Sequence, residues 1–193
     1  TPGDIIRLGR AVAEGYIAGG VLPVIKHIPG HGRATADSHL ELPAVATARA
    51  DLEATDFVPF RALRDVPAAM TAHVVFTSID ASAPASTSAI VHREILRGSI
   101  GHDGLLMSDD LSMKALTGRM QDRAAAVIAA GSDLALHCNG NLEEMTAVAA
   151  GVPNLAGDAL SRFQRAVAVI GQHQPFVMAE AEACLGEVLS LTG

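Results

Sequence analysis

The sequence has no tryptophan, one tyrosine and five phenylalanines among its 193 residues. So few aromatic rings exclude a stacking platform for single-stranded nucleic acid. A formal net charge of −7 also sets the chain against a phosphate backbone. No apolar run approaches the roughly 20 residues needed to cross a bilayer, so neither nucleic acid nor membrane is expected as a partner. Cysteine is as scarce. Cys138 and Cys184 lie far apart, without the paired spacing of a zinc or redox motif, which fits a reducing cytoplasm. No signal peptide is read at the start, where Thr1-Pro2-Gly3-Asp4 resembles a capped helix beginning inside a domain.

What is present is a globular chain, 49% hydrophobic and 18% charged, long enough for one full core. Periodicity alternates helix and strand. Helices are predicted over 4–18, with Ile5, Leu8, Val12 and Ile17 at helical spacing before Gly19-Gly20, and over 51–64, with Leu52, Phe60 and Leu63 facing a core and Pro59 kinking it. A third helix carries Ile90, Val91, Ile95 and Leu96 behind a Ser86, Thr87 or Ser88 cap. Further helices are expected near 121–130, 142–150, 158–170 and 176–191. Short apolar strands are expected at 21–26, 68–73, 104–108 and 133–137. This order implies an α/β fold with a parallel sheet covered by helices.

Each strand ends in polar residues: Lys26-His27, His73, Asp109 and His137. In a parallel sheet these ends point one way, as on the active face of a (β/α) barrel. The densest of them is 26–39, Lys-His-Ile-Pro-Gly-His-Gly-Arg-Ala-Thr-Ala-Asp-Ser-His, a buried strand emptying into a bent, polar loop. It matches neither the dinucleotide fingerprint nor a P-loop. His27, His31, Asp37 and His39 could converge on a metal ion, but Lys26 would compete with it and no familiar ligand spacing is present. Asp37 beside His39 raises the imidazole pKa and makes a general acid, or else His39 is a solvated loop residue. Asp109 is the better candidate to face a pocket, as a nucleophile or a stabiliser of positive charge. Asp110 is read as a cap for the helix that follows, with Ser112 as the alternative.

These runs, with Asp-Ser-His at 37–39, Ala-His at 72–73 and Ser-Asp-Asp-Leu-Ser-Met at 108–113, resemble the β-N-acetylhexosaminidases of glycoside hydrolase family 3. The likeness extends to Asp56-Phe57-Val58-Pro59-Phe60-Arg61, to 101–104 and to Ala129-Ala130-Gly131-Ser132-Asp133, covering about residues 8–140. Ile28 and His102 stand where phenylalanine is commoner. The resemblance implies a (β/α)8 TIM-type barrel and a retaining glycosidase. Asp109 would be the nucleophile and His39 the general acid/base, polarised by Asp37. Lys26, His27 and His73 would contact the sugar, with Met113 lining the pocket. No cofactor or metal is implied. The substrate would be a β-linked N-acetylglucosaminide, such as GlcNAc-1,6-anhydroMurNAc from peptidoglycan recycling in bacteria. A phosphorylase on the same site, or a non-catalytic sugar-binding relic, are the alternatives.

Four βα units are readable, and their motifs look like the second half of such a barrel. Residues 1–193 are therefore expected to form a single partial domain, with closing helices over about 141–193. Its partner would be the N-terminal half of the same polypeptide, without which the chain is expected to be inactive.

Overall fold

The computed structural model describes residues 1–35, 38 and 40–190. Helix α1, Pro2–Ala18, opens as its first residues predict: the Thr1 hydroxyl accepts from the Asp4 amide, and the Asp4 side chain reaches back to the Thr1 backbone. Its packing is not that of the apolar stripe. Ile5, Leu8, Val12 and Tyr16 are exposed and only Ala13 is buried. What pins α1 is Arg10, whose guanidinium forks onto both Asp65 oxygens at 2.6 and 2.7 Å and onto the Ala62 carbonyl.

Four strands form one parallel sheet in the order β1 (Val24–Ile28), β3 (Ala68–Thr71), β5 (Leu105–Asp110) and β6 (Leu134–Leu136). Strand β1 begins three residues later than expected, after Pro23, which has no N–H for a ladder. Two further strands escape sequence reading. β2 (Ala44–Val45) and β4 (Val75–Phe76) pair in parallel, tying the loop after β1 to the loop after β3. The helix expected over 51–64 is two helices, α2 (Arg49–Ala54) and α3 (Phe57–Ala62). The break lies at Thr55–Asp56 and not at Pro59, which falls in the first turn of α3, where a missing N–H costs nothing.

The two faces of the sheet differ. On one, Ile28, Ala69 and Leu106 pack against Leu52, Phe57 and the π-wound helix Val91–Ser99 in the largest core cluster. The Ser88 hydroxyl accepts from the Val91 amide and so caps that helix. On the other face, Ala68 and Leu105 bury against Ala166 of α6 (Gly157–Val167), while Val24, Met107 and Leu134 stay partly open. Helix α4 (Met120–Ala130) packs with α5 (Leu142–Gly151) around Leu116, Val127 and Val148. Helix α7 (Met178–Ser190) buries nothing.

Asp133, at the foot of β6, is the centre of a buried polar cluster that involves the run 129–133. Its buried carboxylate accepts from Arg97 at 3.0 Å, Arg162 at 3.1 Å and the Leu106 amide at 2.9 Å. Ser132 donates to His92 Nε2, whose Nδ1–H is given to the Ser88 carbonyl. Gly131 ends α4 at φ 123°, with His92 only 3.2 Å from where a Cβ would stand.

Candidate active site

Strict alternation along β1 would send Lys26 and His27 to opposite faces. The ladder does not alternate strictly. Lys26 pairs with Met70 and Ile28 with Thr71, so one extra residue is taken up between them. Ile25 and Ile28 both pack against the helix-side core, which leaves Lys26 and His27 together toward the other side. A second irregularity falls between Met107 and Asp110 against Leu134 and Leu136, where the Ser108 hydroxyl accepts the Leu136 amide at 3.0 Å. Bulges of this kind re-aim side chains beside active sites. Here the two bring His27 Nε2 within 3.5 Å of Asp109 Oδ2, across the end of the intervening strand β3.

The Asp109 side chain is 13% exposed and His27 28%. Burial dominates at His27 and lowers its pKa from 6.5. The Asp109 carboxylate opposes this, and Lys26, His31 and His73 reinforce it. The imidazole is therefore neutral near pH 7, with a nitrogen facing the acid at a distance too long for a strong hydrogen bond. His31 stacks edge-on to His27, ring centres 5.8 Å apart, and its Nε2 lies 3.1 Å from the Ser38 hydroxyl. Arg33 anchors the loop by donating to Asp56 at 2.7 Å and to Thr55 at 3.2 Å. The break between α2 and α3 thus serves that loop. A cavity of about 650 Å³ opens beside it, lined by Lys26, His27, His31, Arg33 and Phe60. Asp109 is not in its wall but meets His27 beyond it.

Asp37 and His39, the expected acid/base pair, lie outside the described residues. His73 sits at the expected strand end but is fully buried. Its Nε2–H donates to the Asp110 carbonyl at 3.1 Å, so Nδ1 accepts from Ser86 at 2.7 Å. Both nitrogens are bonded inside the protein, and through the Asp110 carbonyl His73 holds the end of β5. Met113 is buried, 6% exposed, and its amide donates to the same carbonyl at 3.2 Å. His137 turns away to Glu144 in the first turn of α5, 2.8 Å off, and does not join the cluster. Asp110 is not a helix cap: it accepts from the Ser112 amide and hydroxyl and from the Cys138 amide. Among the described residues no group of three or more His, Cys, Asp or Glu could hold a metal ion, and no helix is long and apolar enough to cross a membrane.

The family model for the glycosyl hydrolase family 3 N-terminal domain matches residues 1–170. The chain belongs to glycoside hydrolase family 3. Among its relatives, a beta-hexosaminidase of Alkalilimnicola ehrlichii is 44% identical over 142 residues, covering 72% of this chain and 40% of the relative. A beta-hexosaminidase of Tolumonas auensis is 42% identical, with 72% and 42% covered. The chain therefore spans about two fifths of the length of these relatives. The solved structure of NagZ from Neisseria gonorrhoeae in complex with N-trifluoroacetyl-D-glucosamine superposes with a TM-score of 0.76 at 35% identity, over 86% of this chain and 49% of that one. The beta-N-acetylglucosaminidase from Thermotoga maritima gives 0.73 at 31%, over 89% and 40%. The parallel α/β architecture is accordingly a portion of the family 3 TIM-type barrel.

Proposed function

We propose that this chain supplies the catalytic face of a retaining glycoside hydrolase that removes β-linked N-acetylglucosamine from peptidoglycan-derived fragments. The observation that carries the reading is Asp109 facing a neutral His27 at 3.5 Å where two bulged strand ends meet. The names of the relatives, beta-hexosaminidase and beta-N-acetylglucosaminidase, and the sugar bound in the gonococcal structure support the choice of substrate. In the first step a carboxylate oxygen of Asp109 bonds to the anomeric carbon as the bond to the leaving oxygen breaks. That oxygen takes a proton from His39, held by Asp37. In the second step His39 removes a proton from water, whose oxygen displaces Asp109. Lys26 and His27 hydrogen-bond sugar hydroxyls. Two unpaired, exposed thiols, Cys138 and Cys184, agree with work in the cytoplasm.

A slowed fluorosugar donor tests this in the complete gene product. It is expected to label Asp109, and Asp109→Ala to abolish both labelling and turnover. Labelling elsewhere, or a fully active Asp109→Ala enzyme, would overturn it.

The same reading makes residues 1–193 one partial domain, the second half of a barrel. Strands β1 and β6 are both edges, and Val24, Met70, Met107 and Leu134 line a partly open face. A parallel sheet is normally covered on both faces. Residues 1–193 expressed alone are expected to aggregate, or to need a partner, and to leave aryl N-acetylglucosaminides intact. A soluble monomer with normal turnover would sink the half-barrel reading.

A further inference from the structure

Every hydrogen-bonding group of Asp110 is used, and all of its bonds bear on the residue before it. Its N–H donates to Asp109 Oδ1 at 2.9 Å. Its carbonyl accepts from His73 Nε2–H at 3.1 Å and from the Met113 amide at 3.2 Å. Its Oδ1 accepts from the Ser112 amide at 3.0 Å and the Cys138 amide at 3.1 Å, and its Oδ2 from the Ser112 hydroxyl at 2.5 Å. Those partners come from three places: the loop after β3, the turn after β5 and the loop after β6. A carboxylate so held cannot rotate, and neither can the peptide between residues 109 and 110. Of the two Asp109 oxygens, one is thereby occupied by the Asp110 amide, and the other is the one facing His27.

We propose that Asp110 is a positioning residue that fixes Asp109, and that Asp109 forms its bond to the sugar through Oδ2 while Oδ1 stays on the Asp110 amide. The inference rests on the glycosidase reading above and adds to it a named atom and a residue that touches no substrate. In the step it describes, the Oδ2 lone pair makes the C–O bond, the leaving oxygen departs with the glycosidic electron pair, and its proton comes from the general acid. The negative charge of the free carboxylate is consumed as the ester forms. The Asp110 amide then polarises the ester carbonyl at Oδ1 and helps Asp109 to leave in the second step. Burial works against ionisation of Asp110, but the Ser112 hydroxyl and the Ser112 and Cys138 amides outweigh it and hold its pKa below the usual carboxylate range. The clamp therefore stays charged to below the usual carboxylate range.

The test uses the complete gene product, with Asp110→Ala and Ser112→Ala. Placement errors of about 1 Å cost on the order of 10²-fold in rate, so Asp110→Ala should lower kcat by that order with KM within about threefold. Ser112→Ala, which removes one bond from outside the pocket, should give a smaller fall in the same direction. The fluorosugar label should still reach Asp109 in both variants, stoichiometrically but slowly, which separates misplacement from misfolding. Amide hydrogen exchange at Ser112 and Cys138 should quicken in Asp110→Ala. A crystal structure of the trapped ester should show the sugar on Oδ2.

A kcat within threefold of the parent would overturn the proposal. So would a fall in kcat that matches the loss of labelled sites, unchanged amide exchange, or an ester on Oδ1. A parent that is neither active nor labelled would overturn this proposal together with the glycosidase reading. That outcome is distinct from an active parent indifferent to Asp110.

Discussion

At the scale of single residues, the chain separates groups that act from groups that hold. Asp109 is the proposed nucleophile, and its loss to alanine should cost several orders of magnitude in turnover, as loss of a nucleophile does. His39→Ala should cripple hydrolysis of poor leaving groups far more than of nitrophenyl glycosides, because a good leaving group needs little protonation. Comparing kcat/KM on the two substrate types checks this, and equal falls would count against His39 as the acid. Asp133 holds. With its side chain 4% exposed between Arg97 and Arg162, Asp133→Ala would leave two guanidinium groups facing each other in the interior. It should destabilise the protein by about 3–5 kcal/mol, read from denaturant unfolding. Asp109 was legible in the sequence because its type and place announce chemistry. The bonds of Asp110 and His73 were not, since they run to the Cys138 amide and the Asp110 carbonyl at the ends of neighbouring strands, which no local pattern records.

At the scale of elements, boundaries written in side-chain chemistry could be read and those written in pairing could not. Thr1 and Asp4 opening α1, and Gly131 closing α4, are local devices, visible as letters. The two-residue strands β2 and β4 have no period to detect and exist only through each other. The stripe Ile5, Leu8, Val12 correctly gives a helix but not its buried side. Contact between α4 and α5 offers a sharp test. A Cβ on Gly151 would come within 2.3 Å of the Gln121 carbonyl oxygen, so Gly151→Ala must push the two helices apart. Overpacking of this sort costs about 1–3 kcal/mol, and a melting temperature equal to the parent's would show that α5 has room to move.

At the scale of the whole molecule, the histidines make the fold sensitive to mild acid. Burial lowers the pKa of His73, His92 and His102 below 6.5, with His27 shifted the same way. Each binds its proton less readily folded than unfolded. Between the folded value and 6.5 the unfolded chain therefore holds more protons, and stability rises with pH. Moving from about pH 7.5 to about pH 5.5 should lower the melting temperature, well above the range below 3.8 where Asp65, Asp80 and Asp110 begin to release their own stabilisation. Equal melting temperatures at the two pH values would contradict the buried, neutral imidazoles. The parallel fold itself was legible from alternating periods, because it follows from element order. The irregular step in β1 was not, and it makes segment length as meaningful as composition. Removing Lys26 or His27 would let the strand pair again as an unbroken ladder. Ile25 and Ile28, then two residues apart, would keep their common face, and the site would be left with one of its two polar side chains. An alignment that opens a gap at this point would erase the site while every surrounding letter still agreed.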